Sequence, residues 1–141
     1  MKILKNDFYR FVVMLNKENI KSLIASGEGY NLEFKKSIPS KVKEVTEEIC
    51  AFANASGGTL LLGVDDSNVV QGVVFNNTKR SALQNSINEI SPVLHCEVYT
   101  VNVDAKDIVV IEIPSGDNKP YVLSGAIYVR QGPNSQKIDY R

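Results

Sequence analysis

Ile49-Cys50-Ala51-Phe52-Ala53-Asn54-Ala55-Ser56-Gly57-Gly58-Thr59-Leu60-Leu61-Leu62-Gly63-Val64-Asp65-Asp66 is the stretch on which the fold turns. Leading into it, Val42, Val45, Ile49, Phe52 and Ala53 fall on one side of a helix of 3.6-residue period. Lys41, Lys43, Glu44, Glu47 and Glu48 take the rest of its surface. Asn54 can cap the helix end, and the Gly57-Gly58 pair lets the backbone reverse where a β-carbon would clash. Thr59 to Val64 is a continuous apolar run, which predicts a central strand covered on both faces. Gly63 inside that run predicts close approach of another backbone or a ligand. Asp65-Asp66-Ser67-Asn68 predicts a turn, because Asp and Asn bond their own backbone and tolerate left-handed geometry.

Upstream, Asn31 to Lys36 alternates, with Leu32 and Phe34 on one side and Glu33 and Lys35 on the other, the signature of a half-buried strand. Ile38-Pro39-Ser40 ends it, and Ser40 is the candidate cap of the following helix. Residues 6 to 26 place Phe8, Phe11, Val12, Leu15, Ile20, Leu23 and Ile24 at helical spacing, with a break near Asn16 to Asn19. Downstream, Val69 to Phe75 is expected to return as a strand, and Thr78 to Ile90 to form a helix with Ala82, Leu83, Ile87 and Ile90 on one face. Cys96 to Val103 and Ile108 to Ile113 flank a hairpin turn at residues 104–107, and Tyr121 to Leu123 and Ala126 to Arg130 are further strands. The order ααβαββαββββ predicts an α+β fold: a single compact domain, a mixed and mostly antiparallel sheet, and two or three packed helices. Residues 1–22 read as an N-terminal helical segment and 23–141 as the domain proper, together one structural unit.

The totals narrow the function. At 141 residues and 43% apolar the chain is long enough for a real core. No apolar run approaches the roughly eighteen residues of a membrane helix, and Asp7 and Arg10 interrupt the N-terminal apolar patch, so neither a membrane span nor a signal peptide is expected. Sixteen basic and sixteen acidic residues cancel, which argues against sequence-blind coating of DNA and leaves room for a local basic patch. Cys50 and Cys96 lie in apolar segments and read as buried free thiols, consistent with a cytoplasmic protein. With His95 they fall short of a four-ligand zinc site. There is no G-x-x-x-x-G-K-[ST] loop, and Gly27-Glu28-Gly29 lacks the third glycine of a dinucleotide fingerprint. His95 has no partners in view for a Ser-His-Asp arrangement.

Two motifs carry a resemblance. Glu28-Gly29-Tyr30-Asn31-Leu32-Glu33-Phe34-Lys35 sets a glutamate five residues before a Glu-Phe-Lys strand. The Ala-Phe-Ala-Asn helix end, two glycines, apolar strand and Gly-Val-Asp-Asp turn of residues 51–66 form the second, followed by Gly72 and by Tyr128-Val129-Arg130-Gln131-Gly132. In these the chain resembles the AlbA-like domain of the Schlafen type over about residues 23 to 135. The resemblance implies an AlbA-like fold and a nucleic-acid-binding module, for DNA or RNA, of the kind found in bacterial transcriptional regulators. It also implies an alternative. Schlafen members that cut RNA use three carboxylates matching Glu28, Glu33 and Asp66, a trio suited to Mg²⁺ or Mn²⁺, and such an enzyme would here require a homodimer. Nucleotide (ATP) binding is a third reading, since the domain was once grouped as a divergent ATPase type.

The residues themselves leave plainer roles open. Glu33 and Lys35 share a strand face and can pair in solvent, Asp65 and Asp66 are good turn residues, and the glycines can serve the fold alone. On the basic side, Lys35, Lys36, Lys41 and Lys43 bracket a loop and a helix start, where free N–H groups and the helix dipole favour phosphate. Tyr128 and Arg130 share a strand face, a stacking plane beside a cation. Arg80, Lys119 and Lys137 lie further along.

Overall fold

The computed structural model describes residues 14–138. Phe8, Phe11 and Val12, read above as helical, lie outside the described residues. The elements in order are α1 (Lys17–Ser26), β1 (Leu32–Lys35), α2 (Lys43–Ala53), β2 (Gly58–Leu62), α3 (Asn77–Ile87), β3 (Glu97–Val103), β4 (Lys106–Ile113), β5 (Ile127–Gln131) and β6 (Asn134–Ile138). Four strands form one sheet in the order β1-β2-β4-β3, parallel between β1 and β2 and antiparallel elsewhere, while β5 and β6 form a separate antiparallel hairpin. This is the expected α+β class with a mixed sheet.

Each face of the sheet has its own apolar layer. On one face Ile20 and Ile24 of α1 pack with Leu32, Phe34, Leu61, Tyr99 and Val110. On the other, Val45, Ile49 and Phe52 of α2 and Leu83 and Ile87 of α3 pack with Leu60, Leu62, Val109 and Ile111. The residues of β2 therefore divide between two cores, which is why the run Leu60-Leu61-Leu62 shows no polar alternation. Phe52, fully buried, contributes about 1.5–3 kcal/mol by leaving water.

Local chemistry explains the helix ends and corrects several expectations. The break foreseen near Asn16 to Asn19 is the start of α1: Asn16 Oδ1 accepts from the Asn19 N–H and Asn19 Oδ1 from the Asn16 N–H. The expected boundary after residue 22 falls inside this helix. Ser40 does not cap α2; Val42 occupies that place with helical angles and no side-chain bond. Asn76 caps α3, its Oδ1 accepting from the Lys79 N–H at 2.9 Å. Ala82 is exposed, and Ser86 takes its place in the buried set, bonded at 2.6 Å to Thr46 of α2.

The glycine pair after α2 is sterically required. A β-carbon on Gly57 would stand 2.6 Å from the Ile113 carbonyl, and one on Gly58 would stand 2.5 Å from the Phe52 ring. A β-carbon on Gly63 would likewise meet another backbone, that of Gly72, at 3.3 Å, and both glycines have positive φ. The return strand expected over Val69 to Phe75 does not form. The segment touches the β2 end through Gln71 and Gly72 N–H bonds to the Gly63 carbonyl and a single Val64–Val70 bridge, and reaches β4 through one bond from the Val73 N–H to the Asp107 carbonyl at 2.8 Å, without building a ladder. Residues 121–123 likewise make only isolated bridges, and β6 is a strand not anticipated from the sequence. The hairpin expected between β3 and β4 forms, with Asp104 and Ala105 both at positive φ.

Candidate functional site

The site forms where the β5-β6 hairpin crosses α2 and the end of β1. Tyr128 and Arg130 do share a strand face, but the face points inward. Asn54, at the end of α2, holds the hairpin and its approach there: Nδ2 donates to the Tyr128 carbonyl at 2.9 Å and to the Tyr121 carbonyl at 3.0 Å, and Oδ1 accepts from the Tyr121 N–H at 2.7 Å. The Tyr128 hydroxyl donates to Glu47 at 3.1 Å, with its ring packed against the core. Burial, then the Glu47 carboxylate, raises the Tyr128 phenol above its ordinary value.

Arg130 is the centre. Its side chain is 0% exposed, and its guanidinium carbon stands 4.2 Å from the centre of the Phe52 ring. Nη1 donates to Glu33 Oε1 at 2.6 Å, to Ser135 Oγ at 3.1 Å and to Glu48 Oε2 at 3.3 Å. Nη2 donates to the Gly29 carbonyl at 3.0 Å and Nε to the Tyr30 carbonyl at 3.3 Å. Ser135 closes the ring by donating to Glu48. One cation thus joins β1, α2, β5, β6 and the loop before β1. The expectation that Arg130 offers a surface cation is overturned, because every arm of its planar fork is spent on the interior.

Glu33, expected to pair with Lys35 in solvent, is buried. Lys35 Nζ does approach it, at 3.7 Å, but Arg130 is the closer partner. Burial, then the charge of Glu48, lifts the Glu33 carboxyl above its ordinary value against the pull of Arg130 and Lys35. Glu28 serves the backbone instead: its Oε2 accepts from the Phe34 N–H at 3.0 Å, a donor on the outer side of β1. Glu28, Glu33, Phe34, Glu48 and the Pro133–Ser135 turn line one cavity of about 450 Å³.

Asp66 does not line that cavity; it is exposed in the turn after β2. Its neighbour Asp65 organises the turn, accepting from the Ser67 N–H at 2.8 Å, the Val69 N–H at 3.0 Å and Gln71 Nε2 at 2.7 Å. These bonds, that from Val69 first, hold its carboxyl below its ordinary value. Among the described residues no three His, Cys, Asp or Glu side chains are gathered closely enough to hold a metal ion. The donor set Glu28, Glu33 and Asp66 therefore does not fit Mg²⁺ or Mn²⁺ in this arrangement.

The lysines are placed differently. Lys36, Lys41 and Lys43 are exposed and Lys35 half-exposed, at the carboxyl end of β1 and the uncapped start of α2. Glu48 and Ser135 were not singled out from the sequence. Glu48 has the charge and the helical position of a partner for a strand residue, but Ser135 sits on a strand that the apolar pattern does not announce. Cys50 and Cys96 are free, and burial pushes their thiols up to about 11 and about 12.

The profile of the Schlafen, AlbA_2 family matches residues 28–139, from the β1-capping Glu28 through the whole of β6. The chain belongs to this family. The Schlafen AlbA_2 match thus takes in both the Glu33–Arg130 centre and the lysine-bearing start of α2. Solved structures share the fold. The DIP2311 protein of Corynebacterium diphtheriae superposes with a TM-score of 0.64 at 18% identity, over 85% of this chain. The chain spans only 30% of that protein's length. The N-terminal domain of a RecG-related protein from Nitrosomonas europaea superposes with a TM-score of 0.57 at 23% identity, over 91% of this chain and 96% of that one. Among the described residues no helix is long and apolar enough to cross a membrane.

Proposed function

We propose that this Schlafen AlbA_2 domain is a nucleic-acid-binding module, acting on DNA or RNA by contact with the phosphate backbone. The observation that carries this reading is the placement of Lys35, Lys36, Lys41 and Lys43 around the start of α2, which has no side-chain cap. The Glu44 and Val45 N–H groups are taken by the Lys41 and Val42 carbonyls, so the pull on phosphate at this helix start comes from the positive end of the dipole and from the lysine side chains around it. The formal net charge of zero makes such a patch local, which suits a module that positions a longer protein on nucleic acid better than one that coats it. The name of the RecG-related protein, a relative of an ATP-dependent DNA helicase, is consistent with that role. The narrower reading is a recognition module of a transcriptional regulator.

Fluorescence anisotropy with labelled duplex DNA and single-stranded RNA over a range of salt tests the proposal. Affinity should fall as salt rises. Each of Lys36→Ala, Lys41→Ala and Lys43→Ala should weaken binding and reduce the slope of log affinity against log salt by about 0.7–0.9. Binding that is absent, or indifferent to salt, would remove this reading.

A further inference from the structure

We propose that the outer edge of β3 is the seam of a homodimer, in which β3 pairs antiparallel with β3 of a second copy about a twofold axis at Thr100. The proposal is independent of nucleic-acid binding.

The two edges of the sheet differ. The β1 edge is closed by its own chain: Glu28 takes the outward Phe34 N–H at 3.0 Å, and the Gly29 N–H reaches the Leu32 carbonyl at 2.9 Å. Among the described residues no strand lies beyond β3. Its sequence, Glu97-Val98-Tyr99-Thr100-Val101-Asn102-Val103, is rich in β-branched residues and has no proline or lysine, the usual devices that blunt an edge.

The ladder fixes which groups face outward. The loop Asp104-Ala105 makes Val103 and Lys106 a bonded pair, and bonding then alternates, so Glu97, Tyr99, Val101 and Val103 turn their N–H and C=O groups to β4. The far side of the sheet agrees. Thr59 and Gly63 donate to Asn31 and Lys35 beside β1, which leaves Gly58, Leu60 and Leu62 facing β4 and, through their partners, Ile108, Val110 and Glu112 facing β3. Val98, Thr100 and Asn102 therefore direct both backbone groups away from the sheet.

An antiparallel copy centred on Thr100 satisfies all of these groups. Thr100 exchanges bonds with the partner subunit's Thr100, and Val98 with the partner subunit's Asn102. Moving the register by two residues strands a donor and an acceptor on each copy. The same register sets Tyr99 opposite the partner subunit's Val101, an aromatic and β-branched pair of the kind that stabilises sheets.

Charge agrees with an antiparallel second copy. Glu97 lies directly opposite Glu112 on β4, an unfavourable like pair. At the other end of the ladder Lys106 turns away from β3, its Nζ donating to the Val70 carbonyl at 3.3 Å, and Lys21 offsets Asp104 at 3.2 Å, so no like-charged pair stands there. The twofold axis sets the Glu97 end of each β3 beside the Val103 end of the other, which keeps the two acidic pairs apart where a parallel copy would stack them.

Sedimentation of the full chain from micromolar to millimolar concentration tests this. The wild type should show a monomer–dimer equilibrium. Thr100→Lys and Thr100→Asp, each at an exposed position, set like charges against themselves across the axis and should both sediment as folded monomers, their fold checked by circular dichroism. An equimolar mixture of the two should dimerise again. A wild type that stays monomeric throughout, a dimer that persists in Thr100→Lys, or a mixture that does not re-associate would each overturn the proposal.

Discussion

Arg130 and Glu33 meet at 2.6 Å between Nη1 and Oε1, with the arginine side chain wholly enclosed and the glutamate side chain 10% exposed. The pair links the first strand of the sheet to the separate hairpin near the C-terminus, 97 residues away in sequence. Everything else at the site is arranged around this contact.

Breaking it should be costly. Arg130→Ala leaves Glu33 and Glu48 without their shared cation in a poorly solvated place, and removal of one partner from a buried pair costs about 3–5 kcal/mol. Urea unfolding should show a loss of that size. A loss below about 1 kcal/mol would mean that the pair behaves as an exposed one.

The same contact predicts a pH dependence. The folded-state carboxyl of Glu33 titrates above its ordinary value of 4.5, so the folded protein holds that proton more tightly than the unfolded chain. This contribution to stability is fully present below pH 4.5 and is lost as pH rises through the folded value. Glu33→Gln cannot titrate. The difference in unfolding free energy between wild type and Glu33→Gln should therefore move against the wild type as pH is raised from the acid side towards neutrality. A difference that is flat with pH, or that moves the other way, would show that Arg130 outweighs burial.

Asn54→Ala should loosen the hairpin without disturbing the sheet. The change removes the bonds to the Tyr121 and Tyr128 carbonyls and from the Tyr121 N–H, and a buried group left unsatisfied costs about 1–3 kcal/mol. Amide exchange should accelerate over residues 121–131 more than over β2 and β4. Uniform acceleration along the chain would indicate global destabilisation instead.

Divalent metal should not stabilise the fold. A ligand that binds only the native state raises stability with the logarithm of its concentration. With Glu28 bonded to the β1 backbone, Glu33 to Arg130 and Asp66 outside their cavity, millimolar Mg²⁺ or Mn²⁺ should leave the thermal midpoint unchanged. A midpoint that rises with Mn²⁺ and no longer does so in Asp66→Ala would bring the trio back as a metal site.

Much of the fold was legible because its signals are local. The stripe from Val45 to Ala53, the Gly57-Gly58 reversal, the apolar run of β2 and the hairpin between β3 and β4 each follow from spacing and backbone sterics within a dozen residues, though the turn expected over 104–107 closes on 104–105 alone. The errors share a cause. Val69 to Phe75 has the composition of a strand, but it makes only one bridge, to Val64, with bonds to Gly63 and to Asp107 of β4, 34 residues beyond Val73, and builds no ladder. β6 was missed because Asn134 to Ile138 is mostly exposed and polar, held by pairing to β5 and not by an apolar face.

By itself the sequence determined the helices and central strands, the mixed α+β architecture and the lysines at the start of α2, since periodicity acts over short distances, and its ordered motifs determined the family. Only the tertiary structure decided what the charged residues do. Glu28, Glu33 and Asp66 look alike in sequence, yet one caps an edge strand, one neutralises a buried arginine and one lies exposed in a turn. Arg130 looks like a surface cation, yet it is the most enclosed charge of the site. A side chain's charge is written in the sequence; its dielectric surroundings and its partners depend on which distant strands and helices the folded chain brings around it.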